Sequence, residues 1–514
     1  MYANKVKSLC GLSSNFIKTY LFLILILLLA LFLRSYDLSN NPPELFSDEL
    51  INFVSARSIV ETGKDLHGNL KPYFSDNTEL RPPVYGYTSY FSSLLLGENA
   101  IGIRAPSVIF GLLSILALYL LTLEIFRDRR AALSSAFFLA IVPWHIHYSR
   151  VGWEPGSFLP FLLFSSYFFV YGVNRNKKYL VVLSFCLFTS TIYTYQTAPL
   201  YSFLFLSSLF LLHWKYFLRE KKLLLSCVSI SLILVSPYLW TVFNEPMLYT
   251  RARHISTFKD GLNAGALSTF AYNYISHFNP RFLFISGDPN LRHGAGVGTI
   301  YWIMLPLILA GLVFIVTSNI PKRYKIFIAF WIAIFPLGGS LTNDGVPHAT
   351  RTLPGAPLLC LLSGLGFSVI YQFLKDKSHK VAFSYSFVVI VVLVSLLHLG
   401  FFSRNYYFEY PKKSEMVWGY GQKKIFAIIN KIQGDYDRAC LDNLNYTNEL
   451  QLADYYLEST PLEIISGVND FKCRKQGSII VQWAGNRNKR RHMRLIDTVT
   501  NLEGEIIYNV YIVD

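Results

Sequence analysis

Pro83-Val-Tyr-Gly-Tyr-Thr-Ser-Tyr-Phe-Ser-Ser-Leu-Leu-Leu-Gly97 is the stretch on which the topology turns. It is apolar enough to suggest a membrane span, yet it falls short of the ~20 residues a crossing needs and is rich in serine and tyrosine. Around it lie eleven longer apolar runs, at 16–33, 104–126, 131–149, 154–173, 179–196, 198–214, 222–243, 297–318, 325–341, 351–373 and 380–402. If 83–97 rests on the membrane surface, the clusters Arg127/Arg129/Arg130, Arg175/Lys177/Lys178, Lys215/Arg219/Lys221/Lys222, Lys322/Arg323/Lys325 and Lys375/Lys377/Lys380 all face the cytoplasm. Letting it cross puts every cluster outside, against the positive-inside rule. The sequence therefore predicts eleven spans, with the N-terminus inside and the C-terminus outside.

Composition agrees with a membrane protein. Of 514 residues, 52% are hydrophobic and only 15% charged, which is too apolar for a soluble globular chain. The formal net charge of +15 sits in short Lys/Arg clusters between apolar runs, a pattern that argues against nucleic acid as a partner. Lys5 and Lys7 precede the first run, Lys18 lies at its start, and no small-residue cleavage site follows it, so it reads as a retained anchor rather than a signal peptide. No Walker-type loop, zinc spacing or Ser-His-Asp motif appears, which leaves ATP-driven pumping and common hydrolase chemistry without support.

This topology exposes two long loops on the outer face, 34–103 and 244–296, and loops of that length are usually functional. Within the first, Asp48–Thr62 and Pro83–Leu96 read as helices lying on the membrane surface. The sequence predicts a division into a transmembrane domain, 1–402, and an extracytoplasmic domain, 403–514. In the latter, Ala439–Leu441, Ser478–Trp483 and Glu505–Val513 read as strands, and Ser414–Ile432 and Asn448–Leu457 as helices. Cys440 and Cys473 fall there, where they either form a disulfide or remain two free thiols.

Candidate chemistry gathers on the predicted outer face. Phe46-Ser47-Asp48-Glu49 follows the first membrane exit. Ser47 reads as an N-cap and the two acids complement a helix dipole, but a carboxylate at that depth can also serve as a general base or a metal ligand. Glu154, in Tyr148-Ser-Arg-Val-Gly-Trp-Glu154-Pro, opens the next outer site and can equally be a helix-start acid. Asp48 and Glu154 are the candidate ligands for a divalent metal. Arg81, Arg104, Arg150, His348 and Arg351 are cationic groups on that face; each can anchor to head groups, and together they can hold a phosphate. Tyr85 joins this substrate-binding set. The loop from His277 to His293 adds Asp288, Arg292 and His293 as a segment that covers substrate. His145 and His147 read as packing or hydrogen-bonding groups.

Asp48-Glu49 after the first span, Arg81-Pro82-Pro83, Arg104-Ala-Pro-Ser, Arg150 followed by Glu154, and the late Arg351-Thr-Leu-Pro-Gly-Ala-Pro occur in an order that resembles a known family. It is that of the GT-C glycosyltransferases of the protein O-mannosyltransferase and aminoarabinose-transferase type (glycosyltransferase family 39-like). The resemblance covers residues 15 to 400. It implies an α-helical polytopic GT-C fold of about 11 transmembrane helices followed by a small α/β domain. It also implies a hexosyl- or pentosyltransferase that takes sugar from a polyprenyl-phosphate donor and passes it, with inversion, to a hydroxyl on a protein, lipid or glycan acceptor. Asp48 would be the base, Glu49 and Glu154 would orient it or bind metal, and Arg81, Arg104 and Arg351 would meet the carrier phosphate. Two residues depart from the pattern: Arg81 stands where Lys or His is common before Pro-Pro, and Glu154 where Asp is usual. The alternative is a transporter or carrier-lipid flippase, which favours charges at mid-membrane; these spans hold almost none. The Trp-Trp-Asp motif of oligosaccharyltransferases is absent.

Overall fold

The computed structural model describes residues 20–66, 68, 73–75, 80–245, 252–377, 381–441, 449–457, 462–466, 468, 471–485 and 493–513. Among these, five helices are long and apolar enough to cross a bilayer: Ala100–Phe126, Glu154–Asn174, Lys221–Asn244, Gly355–Asp376 and Ala382–Ser414. Shorter apolar helices cover Tyr20–Ser35, Lys178–Tyr193, Ala198–Leu212 and Met304–Thr317, and Arg129–Ile141 and Lys322–Ile334 lie at two further expected runs. In the Lys221–Asn244 window only 11% of residues are buried. An apolar helix with its side chains turned outward needs lipid as its solvent. Pro83–Leu96 is a helix but is not among those long and apolar enough to cross.

Several expected spans are shorter or broken, and proline explains most of the differences. The run 131–149 is two helices, Arg129–Ile141 and Pro143–Tyr148, separated by Val142 in extended backbone. Pro143 disfavours helical backbone at the residue before it and cannot donate to the preceding turn. The run 297–318 is helical only from Met304. The run 325–341 ends at Ile334, just before Pro336, and 351–373 starts at Gly355, just after Pro354.

The described residues form two compact units. The first draws on Met1–Tyr36, Asn77–Val84 and Pro106–Phe402. Within it, the helices Arg129–Ile141, Met304–Thr317 and Gly355–Lys377 pack backbone to backbone. Gly364 lies against Ser135, Gly366 against the Leu307 carbonyl and Gly311 against the Leu362 carbonyl, leaving no room for a Cβ at any of the three. Small residues at such contacts are how helices approach closely where lipid removes the hydrophobic drive.

The second unit draws on Asp37–Asp76, Tyr85–Ala105 and Ser403–Asp514. Its mixed sheet has strands β3 (Arg438–Leu441), β4 (Glu463–Ser466), β5 (Ser478–Trp483), β6 (Met493–Thr500) and β7 (Ile506–Val513), numbered in chain order after the two-residue strands β1 (Phe74–Ser75) and β2 (Leu80–Arg81). The order is β4-β3-β5-β7-β6, with β3 parallel to β4 and β5, and β7 antiparallel to β5 and β6. Strands β4 and β6 are additions to the expected three. Cys440 and Cys473 are bonded to each other. The Ser47–Thr62 helix, expected to lie on the membrane, buries Leu50, Phe53 and Val54 with Ile425, Phe426 and Ile429 of the Gln422–Ile432 helix and with Ala439, Ile479, Val481 and Val510 of the sheet. Each of these side chains larger than alanine contributes roughly 1.5–3 kcal/mol by leaving water.

Glu44, just before that helix, accepts hydrogen bonds from the Gly421 N–H at 3.3 Å and the Tyr456 hydroxyl at 3.4 Å. Burial pushes its carboxyl up to about 7 from an ordinary 4.5. A folded pKa above the unfolded one means that folding takes up a proton between those values. The stabilisation is complete below the unfolded value and is lost as pH rises through about 7. Thermal melts between pH 5 and 8 should therefore show wild-type stability falling with pH relative to Glu44→Gln. Parallel curves for the two proteins would remove Glu44 as the cause.

Candidate active site

In the second unit the site is built at the start of the Ser47–Thr62 helix. Phe46, not Ser47, is the N-cap, and its N–H donates to Glu49 Oε2 at 2.9 Å. Glu49 is fully buried, and so is Arg104, 55 residues on. Arg104 Nε donates to Glu49 Oε1 at 2.8 Å and Nη2 to Oε2 at 2.9 Å. Its other donors reach the carbonyls of Leu38, Pro42 and Glu44. All five guanidinium N–H groups are thereby engaged, so a carrier-phosphate contact by Arg104 does not fit this geometry. The fork-to-fork pair instead fixes the loop 38–46 and the first helical turn. Asp48, next to Glu49, is partly exposed, so its carboxylate is the one of the two that an incoming group can reach. Tyr85, expected at substrate, is fully buried and donates to the Ile103 carbonyl at 2.9 Å.

In the first unit, Glu154 opens the Glu154–Asn174 helix behind the N-cap Trp153, with Pro155 following. Arg81 Nη1 lies 3.4 Å from Glu154 Oε1, both side chains about one-tenth exposed. A guanidinium there competes with any metal for Glu154. Arg150 is fully buried and donates to the carbonyls of Leu33 and Arg34, which ties it to the end of the first helix. Arg351 donates to Thr342 Oγ1 at 2.6 Å and to Asp344 Oδ2 at 2.9 Å, and is nearly buried. Arg34 donates to His145 Nδ1 at 2.7 Å, a bond that occupies this nitrogen and removes it from metal binding.

The expected substrate-covering loop is tied down in the same unit. His147 Nε2 bonds the Arg292 carbonyl at 2.7 Å, and the Tyr148 hydroxyl donates to the His293 carbonyl at 3.0 Å while pairing with Thr350 Oγ1 at 2.6 Å. Asp288 Oδ2 accepts the Ala349 N–H at 2.7 Å and lies 3.3 Å from His293 Nδ1. The His293 and His348 rings stack with centroids 4.4 Å apart. Asp288, His293 and His348 thus bring one ligand atom each within 4.8 Å of one another. Two imidazoles and a carboxylate are a donor set for zinc and related ions, whose ligand atoms at about 2 Å from the metal sit roughly 3.3 Å apart. The residues present fit a divalent ion here better than at Glu154.

Behind the triad, His277 Nδ1 donates to the Asn273 carbonyl at 2.7 Å and Nε2 accepts the His348 N–H at 3.1 Å. That pair of bonds requires the neutral ring, and burial holds its pKa down to about 4. His277 and His293 were visible in the loop as residue types. Their partner His348 lies 55 residues beyond His293, and no local spacing signals that approach.

The crystal structure of ArnT from Cupriavidus metallidurans bound to undecaprenyl phosphate superposes with a TM-score of 0.62 at 14% identity, covering 96% of this chain and 98% of that one. The archaeal oligosaccharyltransferase AglB from Archaeoglobus fulgidus, in complex with an inhibitory peptide and a dolichol-phosphate, gives 0.55 at 13% identity over 88% of this chain and 65% of that one. A family model described as dolichyl-phosphate-mannose-protein mannosyltransferase matches residues 80–240. No curated protein matches the chain at a significant level. The likeness to these structures gives the chain a GT-C fold, and residues 80–240 match the mannosyltransferase family model. These matches give no support to the transporter or flippase alternative.

Proposed function

We propose that this protein transfers a hexosyl or pentosyl group from a polyprenyl-phosphate carrier to an acceptor hydroxyl, with inversion, on the outer face of the membrane. The observation that carries the proposal is a GT-C fold matched along nearly the whole length of a relative bound to undecaprenyl phosphate. Asp48 takes the proton of the acceptor hydroxyl. The freed oxygen attacks the anomeric carbon from the side opposite the phosphate, the carbon–oxygen bond to phosphate breaks, and polyprenyl phosphate leaves with the electron pair. Positive charge stabilises that leaving group, and Arg81 and Arg351 are the cations proposed for it. Glu154 holds Arg81 in place, and Glu49 holds the turn that presents Asp48. A divalent ion held by Asp288, His293 and His348 would supply further positive charge to that stabilisation.

Reconstituted into vesicles with a polyprenyl-phosphate sugar, the protein should release free polyprenyl phosphate in step with sugar transfer. Failure with every carrier-linked sugar tried would end the proposal. Arg81→Ala should raise the donor KM by about 10- to 100-fold, the loss of one charge-assisted phosphate contact, with Arg81→Lys recovering part of it. An unchanged donor KM would assign Arg81 to holding Glu154 alone.

A further inference from the structure

A second polar site lies at the far end of the Glu154–Asn174 helix, about 30 Å from Glu154 at the helical rise of ~1.5 Å per residue. Here the end of that helix, the short Trp214–Arg219 helix and the start of the Lys322–Ile334 helix enclose a cavity of about 730 Å³. Lys215, Arg219, Lys322 and Arg323 line it, and no carboxylate among the described residues does. Lys215, Arg219 and Lys322 have no ion-pair partner among the described residues. Nearby Glu220 is paired with Lys178.

Three further observations show an arrangement that waits for an anion. The Lys322–Ile334 helix begins without a side-chain cap and without an acid in its first turn, so Lys322 and Arg323 add positive charge to the positive end of the helix dipole, a placement that costs stability until an anion offsets it. Arg323 Nη2 is steered by Asn174 Oδ1 at 3.0 Å, while its buried Nε has no partner among the described residues. His213 lines the cavity, is only 5% exposed, donates from Nδ1 to the Leu209 carbonyl and leaves Nε2 without a partner among the described residues. In that tautomer Nε2 accepts a hydrogen bond, so it suits a hydroxyl rather than a bare phosphate oxygen. The remaining lining is apolar, including Leu211, Trp214 and Ile326, and Trp214 is half exposed in the manner of an interfacial anchor.

We infer that this cavity binds the headgroup of an anionic, hydroxyl-bearing phospholipid, its phosphate among the four cations and its hydroxyl at His213, with the acyl chains beside Leu211 and Ile326. Basic pockets between membrane helices bind lipid headgroups in this way. The apolar wall favours a lipid over a free phosphate ester. In the proposed topology the lipid comes from the cytoplasmic leaflet, so the site is separate from the transfer reaction.

The test is native mass spectrometry of the full-length protein in detergent with phosphatidylglycerol or phosphatidylcholine at equal concentration. Wild type should retain phosphatidylglycerol at least about tenfold better, in line with ~1 kcal/mol per cation near an anionic surface. The exposed-residue variant Lys215→Glu/Arg219→Glu/Lys322→Glu should lose that preference with a melting temperature no lower than that of wild type. The control Lys177→Glu/Lys375→Glu, at exposed cations outside the cavity, should keep it. Equal losses in both variants would reduce the effect to general surface charge and overturn the site. Displacement of the lipid by millimolar glycerol phosphate or inorganic phosphate would overturn the lipid and point to a soluble ester.

Discussion

Asp48→Asn should lower sugar transfer by about 100- to 10,000-fold, the range expected when a positioned base is removed, while the protein should express and melt as wild type does. The amide has the size and shape of the carboxylate but cannot take a proton from the acceptor. Loss of one negative charge in a first helical turn costs only about 0.3–1 kcal/mol, and the hydrogen bond from Asn52 Nδ2 goes to the Asp48 backbone carbonyl, which the substitution leaves in place. Single-turnover transfer in vesicles, with donor binding measured alongside, separates the possibilities. Donor affinity should be unchanged and the chemical step slow, with Asp48→Glu recovering some rate. A variant that transfers sugar at the wild-type rate would transfer the role of base to another group.

Glu49→Ala should be the most damaging substitution for stability in this half of the chain. It strips the carboxylate from a fully buried Arg104 whose other three donors reach only carbonyls. Removing one partner of a buried pair costs about 3–5 kcal/mol because the remaining charge has no counterion. Phe46 loses its capping acceptor as well. Glu49→Gln keeps the shape and part of the hydrogen bonding and should fall in between. The informative comparison is Glu49→Gln with Asp48→Asn, both assayed well below their melting temperatures. If Glu49 positions and Asp48 reacts, the first retains far more transfer than the second. Wild-type melting of Glu49→Ala would show that the pair contributes nothing to the fold.

The two adjacent acids illustrate what a sequence discloses and what it withholds. That Asp48 and Glu49 begin a helix is legible from their residue types and from the apolar run that follows. Which of the two faces inward is not, because that depends on Arg104, brought in by a separate helix. The same limit applies to Asp288, His293 and His348. The loop that carries the first two is recognisable by its charged residues in an apolar setting, but the third member reaches the cluster only through tertiary structure. Hydropathy located the membrane helices because lipid demands a long apolar run whatever the neighbours. It misplaced their ends where Pro143, Pro336 and Pro354 interrupt apolar sequence without lowering its hydropathy. Strand β4 escaped notice because four residues, Glu463–Ser466, are too few to show alternation. Strand β6 did so because Met-Arg-Leu-Ile-Asp-Thr-Val-Thr mixes its polar and apolar positions.

The Lys221–Asn244 helix, so little of it buried, has a consequence for how this sequence can drift. Its constraint is one of polarity rather than of shape. Leucine, isoleucine, valine and phenylalanine can interchange on its outer face with little effect on any neighbour, whereas the glycine contacts at Gly311, Gly364 and Gly366 tolerate no added methyl group. Proteins that share this fold should thus blur in such peripheral helices while keeping the small residues at the packed ones, and a match by fold can persist where a match by sequence has faded.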